Sequence, residues 1–173
     1  MVGPPIRVVS RNMPRRVVTE EDRVEALRLL LAGLVDGTDI FDIIDAVAPL
    51  HPSHNTFLGE VYVGLAADAL EDGGASRERP VPYDGLRTSH LPECQFRGRE
   101  NRKIQYAILT SAAVRGGLEP DILDEVVWWQ TDDFWVYALY AAVALIRASA
   151  EHQGASVAEF AKRLAEHNGI ALS

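Results

Sequence analysis

Two closely spaced pairs of ligand-type side chains stand out in the sequence: His51 and His54 in an H-x-x-H, and His90 and Cys94 in an H-x-x-x-C. Zinc is held tetrahedrally by four nitrogen or sulfur ligands, commonly supplied as two such pairs. Should the two segments converge, these four residues form a zinc site, and zinc is the cofactor of a small metalloenzyme or ligand-binding protein. Pro52 and Pro92 sit inside the pairs, and neither pair is a Cys-x-x-Cys. The competing reading is therefore two histidines leading into a helix and a small buried thiol, with no cofactor. A thiol–base pair of Cys94 with His90 needs the chain between them to fold back, which a spacing of four does not establish. Cys94 is the single cysteine, so the chain holds no intrachain disulfide and falls outside the disulfide-rich secreted class.

Aromatic residues concentrate in one stretch. Trp128, Trp129, Phe134, Trp135, Tyr137 and Tyr140 make up nearly half of the five Phe, three Trp and five Tyr of the chain. Adjacent helical residues point about 100° apart, so Trp128 and Trp129 cannot both face one core. Tryptophans left at a surface are frequent anchors of protein interfaces, and Trp128, Trp129 and Trp135 are the aromatic candidates for one. Asp36, Asp39, Asp42 and Asp45 recur every third residue. No Glu-rich partner helix accompanies them, so they read as a solvated face rather than a di-metal site.

Charge is unevenly spread. Residues 1–18 hold Arg7, Arg11, Arg15 and Arg16 and no acid. Residues 77–103 hold seven basic residues, among them Arg97, Arg99 and Arg102, against four acids. By contrast residues 19–76 carry twelve acids against two arginines. A basic arm and a basic loop suit an acidic protein surface, RNA or a phosphate-bearing ligand, although no stacking platform or groove-reading motif accompanies them. The net charge of −8 argues against duplex nucleic acid or an anionic membrane as an all-over partner. Dinucleotide-binding, P-loop, nucleophile-elbow and zinc-protease motifs are all absent, and no residue is assigned a catalytic role.

The elements that must position these groups are helical almost throughout. Thr19 followed by Glu20, Glu21 and Asp22 caps a helix whose face is Val24, Leu27, Leu31, Leu34 and Val35, ending at Gly37. Thr38 is placed to cap a short second helix with Ile40, Ile43, Ile44 and Val47, stopped by Pro49. A third runs from about Asn55 to Glu71, with Phe57, Leu58, Val61, Leu65 and Ala69 inward and Glu60, Asp68 and Asp72 outward. Residues 73–98, rich in proline and glycine, read as one long irregular loop. Helices resume over 99–116 and 120–130. The segment after Thr131 is apolar on nearly all sides to Ala148, as befits the centre of a bundle. Ser156 and Glu159 form a capping box for a last helix with Val157, Phe160 and Leu164 inward and a stop at Gly169. The longest apolar run, Phe134 to Ile146, would rise only about 20 Å against a ~30 Å hydrocarbon core. No apolar run of signal-peptide length follows the arginines of residues 1–18, so the expected location is the cytoplasm.

The sequence thus predicts an all-α fold: a basic arm over 1–18 and, over 19–173, one bundle of six or seven helices around a central hydrophobic helix. With 47% hydrophobic residues among 173, such a domain buries enough surface to fold without staples. The expected function is a non-enzymatic, cytoplasmic protein-interaction or regulatory subunit, of bacterial adaptor type, that binds another protein or itself. The alternative is the zinc-dependent or ligand-binding protein centred on His51, His54, His90 and Cys94.

Overall fold

The computed structural model describes residues 19–50, 55–74, 90 and 134–172, and everything below concerns these. They form α1 (Glu20–Asp36), α2 (Ile40–Val47), a 3-10 turn (Ala48–Leu50), α3 (Asn55–Asp72), α4 (Phe134–His152) and α5 (Val157–His167), with no strand among them. The protein is all-α. The helices expected over 99–116 and 120–130, the loop about 73–98 and the arm 1–18 fall wholly or almost wholly outside the described residues.

Each start is set by side-chain chemistry. Thr19 Oγ1 accepts from the Asp22 amide at 3.2 Å, and the Asp22 carboxylate accepts from the Thr19 amide at 3.0 Å. This reciprocal box satisfies two amides that the helix itself leaves unpaired. Ser156 and Glu159 repeat it at α5, both bonds at 3.1 Å. At α2 the cap is Asp39, one residue later than expected: its carboxylate accepts from the Phe41 amide at 2.8 Å. Thr38 belongs instead to the end of α1, its amide donating to the Gly33 carbonyl at 2.8 Å. That closure needs Gly37 at φ +71°, a left-handed conformation that glycine adopts without steric cost.

The most extensive packing is between α3 and α4, followed by α1 against α5. Small residues permit it: Ala66 and Ala69 on α3 and Ala138, Ala141 and Ala142 on α4 are all buried. Just past the C-terminal end of α3 there is no room for a side chain at Gly73, where a Cβ would sit 2.7 Å from Ser149 Oγ. From Tyr137 to Ala150 on α4, every residue but the half-buried Arg147 is buried, so the helix is covered on all sides, as its composition predicts. Helix α3 is nearly as enclosed, with Tyr62, Val63, Ala67 and Leu70 inside as well as Leu58, Leu65 and Ala69. The Tyr62 hydroxyl, fully buried, donates to the Ala26 carbonyl at 2.9 Å and ties α3 to α1. No described helix is long and apolar enough to cross a membrane.

Candidate interaction site

Helix α2 carries two apolar stripes. With about 100° between successive residues, Ile40, Ile43 and Val47 form one stripe, and Phe41, Ile44 and Ala48 form a second beside it. The first is buried, Ile43 lying against Gly33 of α1 so closely that only a hydrogen fits there. The second is not. Phe41 is 46% exposed, the one large hydrophobic residue so exposed among the described residues; Ile44 is half-buried and Ala48 exposed.

Past this second stripe, on the side away from the core, stand Asp42 and Asp45, with Asp39 at the cap and Asp36 at the end of α1. All four are exposed. No lysine or arginine occurs between Asp36 and Leu50. On α1 the situation differs: Arg23 Nη2 reaches Glu20 at 2.6 Å and Arg28 pairs with Glu25, and each arginine holds its partner's carboxyl below the usual range. The α2 segment is therefore a patch of one sign around an uncovered ring. An exposed ring within charge of one sign is the make-up of a recognition surface. In the sequence Ile44 reads with Ile40, Ile43 and Val47 as core, which leaves Phe41 unmarked. The signal available was its offset of about 100° from Ile40.

Of the residues that the sequence marks for interaction, Trp135 is 5% exposed and lies in the core on α4. Trp128, Trp129, Arg97, Arg99 and Arg102 lie outside the described residues. So do His51, His54 and Cys94 of the possible zinc set. His90 is described: it is 7% exposed, and its Nε2 lies against the Glu151 carboxylate near the end of α4. Among the described residues no group of three or more His, Cys, Asp or Glu side chains is placed to hold a metal ion.

A second polar region gathers where α3, α4 and α5 end. His167 Nδ1 lies 3.3 Å from Asp72 Oδ1, and the Gln153 amide donates to the Asp72 carbonyl. Burial pushes the Asp68 carboxyl above its usual range, while a hydrogen bond from Asn168 and the nearby His167 pull the other way. Asp68, expected to face outward, is half-buried because α5 ends over it. Beside it, Gln153, Gly154, Ala155, Glu159, Lys162 and Arg163 line a shallow open groove. Its arginine is already engaged, with Nη2 donating to Gln153 Oε1 at 2.9 Å and the guanidinium 5.1 Å from the centre of the Phe160 ring. These contacts join helix ends and are explained by the fold.

No family model matches the chain, and no curated protein or solved structure matches it.

Proposed function

We propose that the protein is a non-enzymatic, cytoplasmic protein-interaction or regulatory subunit, and that the outer stripe of α2 belongs to its contact surface. The observation that carries this reading is the exposed Phe41 ring set among four unpaired-in-sequence acids, Asp36, Asp39, Asp42 and Asp45. An aromatic anchor is the residue type that dominates interface energies, and a charged rim selects and orients the partner. The wider proposal is one domain over 19–173, with six or seven helices around α4 and an irregular loop about 73–98. Trp128, Trp129, Arg97, Arg99 and Arg102 extend the contact surface, and the partner is another protein or a second copy.

The test uses the full chain as bait, wild type beside Phe41→Ser. A defined partner, or the chain itself, is recovered with the wild type and reduced about tenfold by the loss of roughly 1.4 kcal/mol of ring contact. Equal recovery by both baits refutes the role given to α2.

A further inference from the structure

We infer that, when no partner is bound, the outer stripe of α2 is covered by residues 1–18 of the same chain. This rests on the interaction reading above and adds the chemistry of the occupant. The surface is an exposed ring, a half-buried Ile44 beside it, and four carboxylates in a segment without a single basic residue. What fits is a basic segment that also carries apolar side chains. Residues 1–18 are such a segment: Arg7, Arg11, Arg15 and Arg16 with no acid, interleaved with Ile6, Val8, Val9 and Met13. Four positive charges then meet four negative ones.

Charge also decides between surfaces. On α1 Glu20 is engaged by Arg23, Glu25 by Arg28 and Asp22 by the Thr19 cap, whereas the segment Asp36–Leu50 has four acids and no cation of its own. Exposed ion pairs contribute little singly and are screened by salt, so here they set direction while the Phe41 ring supplies the apolar contact. Reach is ample. The segment spans up to roughly 60 Å when extended. Helix α1, which separates it from α2, has 17 residues and a length of about 25 Å. Being tethered, it meets the stripe at an effective concentration on the order of millimolar.

Trypsin reads this in the full chain through cleavage after Arg7, Arg11, Arg15 and Arg16, followed by mass spectrometry. At low salt these bonds are cut about tenfold more slowly in the wild type than in Phe41→Ser, the ratio set by the lost ring contact. Part of the protection is lost in Asp42→Asn with Asp45→Asn, and in the wild type at about 0.5 M salt. Cleavage after Arg163 in α5 reports global opening and stays equal in all variants; should Phe41→Ser raise it, the Asp42/Asp45 pair decides instead. Protection is independent of protein concentration. Equal arm cleavage in wild type and variants overturns the inference, and protection that grows with concentration assigns the stripe to a second copy and overturns it too. If the arm is cut freely while Phe41→Ser still abolishes partner recovery, this inference fails and the interaction reading stands. If both effects are missing, both fail.

Discussion

Replacing Gly33 by alanine should weaken the protein, although in an unobstructed helix alanine is about 1 kcal/mol better than glycine. A Cβ at position 33 would lie 2.7 Å from both Cγ1 and Cδ1 of Ile43, and 3.7 Å from Thr38 Cβ. Non-bonded carbons settle about 3.5–4.0 Å apart, so Ile43 would have to retreat by roughly 1 Å. It has little room to do so: it is 2% exposed and β-branched, with a stiff χ1. Overpacking of this kind costs about 1–3 kcal/mol; set against the helix-propensity gain, the net loss is about 1 kcal/mol. Urea unfolding followed by far-ultraviolet circular dichroism measures it as a fall in the midpoint at unchanged slope. The cycle with Ile43→Ala isolates the cause. With the Ile43 branch removed the new Cβ has space, and Gly33→Ala becomes neutral or stabilising, a coupling of about 1–2 kcal/mol. A rise in the midpoint for Gly33→Ala alone would refute the close α1–α2 contact on which the position of Phe41 depends.

Gly64, in the middle of α3, has nothing among the described residues within 4 Å of where a Cβ would stand, so Gly64→Ala should stabilise by roughly 0.5–1 kcal/mol in the same urea assay. Tyr62→Phe should cost about 1 kcal/mol through the lost bond to the Ala26 carbonyl. Burial also holds the Tyr62 phenol well above its ordinary value of 10.0. The folded state therefore keeps a proton that the unfolded chain releases, and stability falls as pH rises above about 10. Thermal unfolding between neutral and alkaline pH should show a smaller fall in Tyr62→Phe than in the wild type. Asp68, with its folded carboxyl raised above the ordinary 3.8 chiefly by burial, destabilises the fold once ionised. Asp68→Asn should raise the melting temperature at neutral pH, by an amount that shrinks as the pH is lowered past the carboxyl's titration.

Helix starts and stops were the most legible part of the fold. Thr19 and Ser156 with their acids three residues on, and Gly37 at its left-handed turn, are local chemistry that no distant packing alters. The all-round burial of α4 was likewise written in its composition. Tertiary context decided the rest. Thr38 has a capping hydroxyl, but the chain closes α1 through its amide and enters the next helix one residue on, where Asp39 is the cap. Helix α3 has polar residues spaced as if for a solvated face, yet Asp68 is half-covered by the end of α5, a contact between residues about a hundred apart in sequence. The candidate site was hidden for a related reason. A stripe of Phe41, Ile44 and Ala48 looks like core until the neighbouring stripe is seen to take the space against Gly33. Trp135, conspicuous in sequence, went inside, where its ring is covered within the α4 core.

The central claim, that the outer stripe of α2 contacts another protein chain, is met most directly by photo-crosslinking from the stripe itself. A p-benzoylphenylalanine is placed at position 41 of the full chain in the cells that make it, with position 46, exposed on another side of α2, as control. Irradiation is predicted to give one discrete intermolecular adduct from position 41 and none from position 46. No intermolecular adduct from position 41, or the same products from both positions, would contradict the account.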